Sequence, residues 1–527
     1  MEMFSSRIRE GNFVLNEKNY SIKWTTKQIE NGWKITGFIK GKPGRIEFFK
    51  TYSSKKILIN NWQSWGPCKV INTDHLKLPR QIDDNWQYTT SLFPDIFEKQ
   101  IQSDYFILEE NKLYGFLSSR IAHPFFTVQK NAMTAYIDYF DAVFDEYVPL
   151  ETFVILEGAD ESFLLEKYGE LIAKENNVSI RKQSIIGWCS WYQYFLNLTW
   201  QEILKNINLA SNYPFEVFQI DDGYEKDIGD WLIVKDGFPQ LYQMAETIAK
   251  NGMKPGIWIA PFCVSESSSI SQNHPDWLVK EEGGPKVAFR NWDHQIFSLD
   301  LSKSEVKKWL YELFSTLRKM GYLYFKIDFL FSGAIPGKRH NGSTPIQVFR
   351  EGLEVIRKAV KDAFILGCGS PLLPAVGFVD GMRVGPDTTP FWGENVPDEG
   401  APAAKWSLRN AITRHFMHRK LWLNDPDCLL LRSEQTSLTL NERELYAYTC
   451  GVLDNIIVVS DDLSLIDDQS KEILNKTLRL ISGSAFVKNI MSTDGYEIIS
   501  RGTKSGDVKL FVDLEKRIFS LEIKTER

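Results

Sequence analysis

Apolar strands alternate with amphipathic helices along the segment from about residue 183 to residue 480. Because parallel strands need a long crossover connection, which is usually a helix, this alternation predicts a parallel sheet. Eight strand–helix repeats match a (β/α)₈ TIM barrel, which usually takes about 250 residues before insertions. The predicted strands are residues 185–191, 215–220, 255–261, 323–328, 364–367, 382–384, 421–423 and 455–459.

Carboxylates follow the predicted strands at their C-terminal ends. The strand at 323–328 carries Lys326 and Asp328, and because side chains alternate along a strand, both point to one side. Charges placed among apolar neighbours pair with each other or have a function, so a structural ion pair and a catalytic pair both fit this run. Active sites of parallel barrels lie at this end. The acids at the other strand ends are Asp221, Asp222, Asp387, Asp425 and Asp427.

Strand patterns without a helical rhythm flank the barrel segment on both sides. We predict an N-terminal antiparallel β-sandwich domain over residues 1–178, which ends with a helix that begins at Ser162 and a linker. A catalytic barrel follows over residues 179–481. A small C-terminal antiparallel β-domain takes residues 482–527. Within the barrel segment, residues 264–297 read as an insertion. The run 302–305 predicts a capping box for the helix that Gly321 ends.

Composition narrows the range of functions. The net charge is −6 without long charged runs, which argues against nucleic acid as a partner, and no apolar stretch is long enough for a membrane helix. We therefore expect a cytoplasmic protein that binds a small molecule. The six cysteines lack metal-site spacing, and His415 and His418 fit an ordinary helix, so we expect neither a metal nor another cofactor.

Aromatic residues are abundant, with 16 Trp, 20 Tyr and 34 Phe, and many tryptophans fall near the polar strand ends. Flat apolar faces beside carboxylates suit a ligand that has both C–H faces and hydroxyl groups, which describes a sugar. Asp328 and Asp387 are 59 residues apart (387 minus 328), so they belong to strands 4 and 6. That placement allows the separation of about 5 Å between carboxyl groups that is typical of retaining glycosidases.

Five motifs in order resemble the α-galactosidases of glycoside hydrolase family 36, especially the short prokaryotic branch. The resemblance covers nearly the whole chain, including the tryptophan-rich segment 60–66. The chain differs from the longer members of the family at the residues on either side of Asp328 and at residues 371–376. The motifs are Trp188-Cys-Ser-Trp191-Tyr, Asp221-Asp222-Gly-Tyr, Lys326-Ile-Asp328-Phe, Gly367-Cys-Gly-Ser370 and Arg383-x-x-x-Asp387.

The resemblance implies a role for each matching residue. Asp328 would be the nucleophile and Asp387 the general acid/base, while Asp221 and Asp222 would bind the O4 and O6 hydroxyls of galactose. Because a cation beside Asp387 would oppose its role as an acid, we expect Arg383 to face the substrate or Asp328 instead. Lys326 and Arg383 would bind ring hydroxyls. The residues implied to line the pocket are Trp65, Trp191, Trp258, Cys368 and Gly369.

Three other functions stay open at this point. A galactosyl transferase would use the same retaining chemistry. Independently of its function, the chain could form a homo-oligomer. A metal-dependent barrel hydrolase could use Asp221, Asp222 and Asp427 as oxygen ligands, although Lys326 and Arg383 among these acids disfavour it. A non-catalytic sugar-binding protein could use the aromatic pocket, but it would not need acids on two strands.

Overall fold

The computed structural model describes residues 9–74, 83–129, 132–180, 184–398, 400–492 and 495–524. It is a multidomain α/β protein, in which a parallel barrel lies between two regions of antiparallel sheet. None of the helices in these ranges is long and apolar enough to cross a membrane.

The N-terminal region contains two antiparallel sheets, one of nine strands and one of four. Aromatic side chains pack between them: the ring of Phe48 lies 5.5 Å from that of Phe153 and 6.0 Å from that of Phe116. The larger sheet contains Gly11–Asn16, Tyr20–Ile29, Gly32–Gly41, Lys56–Asn60, Cys68–Asn72, Phe106–Glu109, Lys112–Phe116, Phe144–Pro149 and Phe153–Glu157. The smaller contains Arg45–Tyr52, Ile101–Asp104, His123–Gln129 and Ala132–Asp138.

Helices of this region lie after and between the strands. Short helices Asp84–Trp86, Gln87–Thr90 and Pro94–Phe97 connect two strands. The predicted helix near Ser162 spans Glu161–Glu175, and the side chain of Asp160 caps it by accepting a hydrogen bond from the Phe163 N–H.

The barrel prediction is confirmed in its strand number and direction. All neighbouring strands are parallel, and the order along the sheet is β7-β6-β5-β4-β3-β2-β1-β8. The Ile456 N–H donates to the Asn424 carbonyl at 3.0 Å, so the two ends of the sheet meet and the ring is nearly closed. The strands are β1 (Ile186–Cys189), β2 (Val217–Ile220), β3 (Lys254–Ile259), β4 (Tyr324–Ile327), β5 (Phe364–Gly367), β6 (Gly381–Arg383), β7 (Leu423–Asp425) and β8 (Ile457–Val459).

Helices connect the barrel strands on the outside. Helix Ser304–Lys319 shows the apolar face that the sequence pattern predicts, since it buries Val306, Leu310 and Leu313. The helices are Trp191–Tyr194, Phe195–Asn197, Trp200–Ala210, Leu241–Lys250, Ser304–Lys319, Leu330–Ala334, Pro345–Val360, Leu372–Ala375, Ala404–Thr413, His415–Met417, Leu440–Val452, Leu463–Leu465 and Asp468–Leu480.

The capping box predicted at 302–305 is wrong. The residue that precedes helix Ser304–Lys319 is Lys303, whose side chain makes no capping bond. The Ser302 hydroxyl donates instead to Asp300 at 2.6 Å. The Ser302 oxygen also accepts the His340 N–H at 3.1 Å, so both functions of this hydroxyl are used outside the helix. Gly321 ends the helix as predicted, with φ +107°.

The predicted insertion follows β3 and adds a small sheet above the barrel. Strands Cys263–Ser265, Val287–Asn291 and His294–Ser298 form it, with the ribbon Lys280–Glu281 and Gly284–Pro285 and the helices Ser269–Asn273 and Pro275–Trp277 beside it. The C-terminal region is a four-stranded antiparallel sheet of Ser484–Lys488, Tyr496–Thr503, Gly506–Asp513 and Ile518–Lys524.

A loop of the N-terminal region, residues 60–68, is bound tightly to the barrel. The buried Arg414 donates to the side chain of Asn60 at 2.9 Å and to the carbonyl of Ser64 at 2.7 Å. The Asn410 amide donates to the Gly66 carbonyl at 2.9 Å, and the Ser64 N–H donates to the carbonyl of Ser370 after β5 at 2.9 Å. This loop carries Trp65 to the C-terminal end of the barrel.

Candidate active site

A cavity of about 690 Å³ opens at the C-terminal end of the barrel strands, a volume suited to a small ligand. Four acids from strand ends and a lysine line it, together with Asp293 of the insertion: Asp221 and Asp222 after β2, Lys326 and Asp328 at β4, and Asp387 after β6. Trp65, Trp191 and Trp258 also line it. Four of the strand-end acids, the lysine and three of the tryptophans that we predicted from sequence therefore meet in one cavity, whereas the strand-end acids Asp425 and Asp427 do not line it.

Asp328 follows β4 and is 6% exposed. The Trp258 indole N–H donates to its Oδ2 at 3.0 Å, and the Phe329 N–H donates to its Oδ1 at 2.7 Å. Phe329 adopts φ +50°, so the chain turns sharply right after the carboxylate. Burial raises the pKa of Asp328, while Lys326 opposes this rise. These contacts fix both oxygens of the carboxylate in position.

Lys326 points to the same side as Asp328, with 4.0 Å between its Nζ and Oδ2 of Asp328. Its shorter contact, at 3.0 Å, is with Oδ2 of Asp221. Burial alone would lower the pKa of Lys326, but the carboxylates of Asp221 and Asp328 outweigh burial and raise it well above its usual value. Lys326 thus remains a cation that joins the ends of β2 and β4.

The acids after β2 have different environments. Asp221 accepts hydrogen bonds from Gln219 and Lys326, whereas Oδ2 of Asp222 accepts the Trp292 indole N–H at 2.8 Å. Burial raises the pKa of Asp222, and burial together with the charge of Asp222 raises the pKa of Glu225 well above its usual range. Glu225 is an acid beside the site that we did not predict, although it directly follows the motif Asp221-Asp222-Gly-Tyr in the sequence.

The prediction that Arg383 faces the substrate or Asp328 is wrong. Its Nη2 lies 2.6 Å from Oδ1 of Asp387 and 2.7 Å from Oδ2 of Asp427, and Arg383 is 1% exposed. Burial alone would lower the pKa of Arg383, but Asp427, Tyr192 and Asp387 together raise it well above its usual value. The sequence argument missed Asp427 as an ion-pair partner because the two residues belong to different strand ends, β6 and β7.

Cys368 and Gly369, which we predicted to line the pocket, lie behind Trp65. The Trp65 indole N–H points at the Cys368 sulfur, with 3.3 Å between Nε1 and Sγ. Gly369 has φ +52°, and a Cβ at this position would lie 2.8 Å from the Trp65 ring. Burial raises the pKa of the Cys368 thiol well above its usual value. The two residues therefore support the aromatic wall of the cavity, which Trp65, Trp191 and Trp258 form.

Further wall residues come from segments outside the barrel strands. Trp86 of the N-terminal region stacks on Phe289 of the insertion, with ring centroids 5.5 Å apart. Their positions depend on how the insertion and the N-terminal region pack on the barrel, for which the sequence offers no local signal. The wall residues that we did not predict are Gln63, Trp86, Thr89, Thr90, Leu196, Asn291, Trp292, Asp293, Phe329, Gly400, Ala401 and Pro402.

The oxygen ligands suggested for a metal-dependent enzyme have other partners. Asp221 contacts Lys326, Asp222 contacts Trp292, and Asp427 contacts Arg383. Within the ranges that the structure describes, His, Cys, Asp and Glu side chains form no group of three or more that could hold a metal ion. Two of these three acids are therefore paired with cations of the protein itself.

Comparisons with known proteins identify the families that two segments of this chain match. Residues 25–157 match the family described as alpha-galactosidase, N-terminal, and residues 164–336 match the family described as Melibiase. Alpha-galactosidase 1 of Pediococcus pentosaceus is 27% identical over 165 residues, which is 28% of this chain and 22% of that protein. AgaA of Geobacillus stearothermophilus is 26% identical over 165 residues, with the same shares of 28% and 22%. The chain thus spans about a fifth of the length of these curated relatives.

Solved structures show the same fold over almost the whole chain. TtGalA, an alpha-galactosidase from Thermus thermophilus in complex with p-nitrophenyl α-D-galactopyranoside, superposes with a TM-score of 0.77 at 22% identity. The alignment covers 96% of this chain and 100% of that chain. The overall fold of this chain is therefore similar to that of the solved structure.

Proposed function

We propose, because this chain resembles the α-galactosidases of glycoside hydrolase family 36, that it is a retaining α-galactosidase. It would remove terminal α-D-galactose from galacto-oligosaccharides. The observation that carries the proposal is the cavity in which Asp328 and Asp387, after β4 and β6, lie beside Lys326, Asp221 and Asp222. Solved relatives bind p-nitrophenyl α-D-galactopyranoside and stachyose, which supports this substrate class.

In the first step of the proposed mechanism, Oδ of Asp328 attacks the anomeric carbon while Asp387 protonates the departing oxygen. The fixed position of the Asp328 carboxylate, between Trp258 and the Phe329 N–H, supports attack from one face. In the second step, Asp387 takes a proton from water, which attacks the galactosyl–Asp328 ester. Asp328 then leaves as a carboxylate beside Lys326.

Selection of galactose would fall to Asp221 and Asp222. One oxygen of Asp222 accepts the Trp292 indole N–H, and a side-chain hydrogen bond joins the carboxyl groups of Asp222 and Glu225. Asp221 and Asp222 both line the cavity, and an ionised carboxylate has about four acceptor sites, so a sugar hydroxyl can donate to them as well. A ligand that leaves a buried polar group unpaired binds worse by about 1–3 kcal/mol, so an axial and an equatorial O4 would be distinguished.

The experiment is a rate comparison of the purified protein on the p-nitrophenyl α- and β-galactosides and α- and β-glucosides. We expect kcat/KM for the α-galactoside to exceed that for the α-glucoside by at least about 10²-fold. Asp328→Asn, which keeps the shape of the side chain but is a poor nucleophile, is the matched control for background hydrolysis. Comparable cleavage of both α-glycosides would refute the proposal, as would full activity in Asp328→Asn.

We also propose boundaries for the flanking domains, a cellular location and an oligomeric state. The two N-terminal sheets would form a β-sandwich domain ending near residue 178, and the C-terminal sheet would form its own domain from residue 482. The ends of the helix Glu161–Glu175 and of the helix Asp468–Leu480 support these boundaries. A cytoplasmic location and a homo-oligomer remain predictions.

A further inference from the structure

Arg383 poses a chemical problem for the proposed mechanism. Its guanidinium lies 2.6 Å from Asp387, and a cation at this distance favours the ionised form of a carboxyl group. A general acid must keep its proton until it gives it to the leaving group. Some other group must therefore offset the charge of Arg383.

Asp427 occupies the position from which it can do so. Its Oδ2 lies 2.7 Å from the same Nη2 that contacts Asp387, and it is 3% exposed. The Thr388 N–H donates to this Oδ2 at 2.7 Å, and the Tyr192 hydroxyl donates to it as well. One guanidinium nitrogen thus serves two carboxyl groups, and only Asp387 lines the cavity.

The backbone holds Asp427 in this orientation. Asp427 adopts φ +85°, a conformation that L-residues rarely take, and its N–H donates to Oδ1 of Asp425 at 2.9 Å. Its own Oδ1 accepts the Cys428 N–H at 2.8 Å. Because main-chain contacts hold Oδ1, the other oxygen is directed at Arg383.

We propose that Asp427 is a positioning residue that shares the charge of Arg383 with Asp387 and thereby lets Asp387 act as the acid. This inference rests on the proposed function. Two effects act in the same direction: the carboxylate of Asp427 offsets the attraction of Arg383 for an ionised Asp387, and it repels that ionised form directly. Asp427 contributes no atom to the cavity wall, so its influence on the reaction passes through Arg383 and Asp387.

The titration of the surrounding groups is consistent with this role. Burial raises the pKa of Asp427 to about 7, against the effect of Arg383, so Asp427 is ionised on the alkaline side where an acid catalyst loses its proton. The carboxylate of Asp425 also raises the pKa of Asp427, while the charge of Lys326 lowers it.

The other titratable neighbours stay neutral over an assay range near neutrality. Burial raises the pKa well above the usual value for two phenols, Tyr192 and Tyr446, and for three thiols, Cys368, Cys428 and Cys450. The charged groups of this cluster are therefore the carboxylates and the two cations.

The test is the pH profile of kcat/KM for Asp427→Asn. We expect its alkaline limb to move toward acid by about 1 pH unit or more, the effect that one close cation has on a carboxyl group. The loss at pH 8 should be larger for stachyose, whose leaving group needs protonation, than for p-nitrophenyl α-D-galactopyranoside. An unmoved limb, or an equal loss on both substrates, would overturn the proposal.

Asp461→Asn is the matched control. Asp461 is also buried and accepts from Arg432 at 2.5 Å, but neither residue lines the cavity. We expect this variant to lose stability without a shift of the alkaline limb.

A second variant covers the case in which Asp427→Asn fails to fold. Tyr192→Phe removes one donor to Asp427, so Asp427 ionises at higher pH and offsets Arg383 less. The alkaline limb should again move toward acid, by a smaller amount, and an unmoved limb would overturn the proposal.

If the wild-type protein cleaves neither galactoside, the proposed function itself fails. A normal wild-type profile with unmoved variants refutes the role of Asp427 alone.

Discussion

Substitution of Gly369 by alanine should damage the pocket through a residue that does not line it. A Cβ at Gly369 would lie 2.8 Å from the Trp65 ring, whereas ordinary contacts begin at 3.4 Å. The ring must therefore move by about 0.6 Å (3.4 minus 2.8), and this movement strains the contact of 3.3 Å between Trp65 Nε1 and the Cys368 sulfur. Alanine at φ +52° also costs about 1 kcal/mol of backbone strain.

The expected size of the catalytic effect follows from this movement. A misplacement of 1 Å can cost about 10²-fold in rate, so about 0.6 Å should lower kcat/KM for the α-galactoside by roughly tenfold. The assay measures kcat and KM on p-nitrophenyl α-D-galactopyranoside together with Tm.

Gly342→Ala is the matched control for backbone strain. Gly342 is exposed with φ +64°, and an added Cβ there meets no atom within 4 Å. We expect both variants to lose stability to a similar extent, while only Gly369→Ala loses kcat/KM. If kcat/KM of the two variants agrees within about twofold, the support of Trp65 by Gly369 does not matter for binding, and the reasoning is refuted.

Three further predictions concern the mechanism and the fold. Asp387→Ala should lose far more activity on stachyose than on the p-nitrophenyl galactoside, since a good leaving group needs no proton, and equal losses would contradict its role as an acid. NMR of early hydrolysis should show α-galactose before mutarotation, because two inversions give retention, and initial β-galactose would mean that water attacks directly. Burial lowers the pKa of His415 to about 3. His415 in the unfolded chain therefore takes up a proton as the pH falls below about 6.5, whereas His415 in the folded protein does not. Because the unfolded state binds this extra proton, the free energy of unfolding should decrease as the pH falls from 6.5 to 3, by at most about 1.4 kcal/mol per pH unit. His415→Gln should flatten this slope in urea titrations, and an unchanged slope would show that other groups cause it.

The strands of the barrel could be predicted because their signal is local. Each is a short apolar run that ends in polar residues, and each prediction overlaps the observed strand. The strand predicted at 421–423 spans Leu423–Asp425 instead, because the chain still turns at Leu421, whose N–H donates to the Met417 carbonyl at 2.9 Å. Period and composition locate an element, but the competing hydrogen bonds set its ends.

The partners of buried charges could not be predicted in the same way. The sequence places Lys326 beside Asp328, but it does not reveal that Asp221 offers Lys326 a closer oxygen. Likewise, Arg383 could be assigned to the substrate only while its pairing with Asp427, 44 residues later (427 minus 383), was unknown. Such choices depend on distances across the barrel, which no local pattern encodes.

The attachment of loop 60–68 to the barrel has a consequence for how activity is gained during folding. Trp65 reaches the cavity only when Arg414 and Asn410 have bound the loop, and these contacts span more than 340 residues of sequence. Contacts so distant in sequence form late, since the loss of chain entropy must be met before they stabilise anything. A refolding barrel would therefore regain its helical circular dichroism before the aromatic wall is assembled. Catalytic recovery would follow the docking of the N-terminal region, a slower event than formation of the barrel strands.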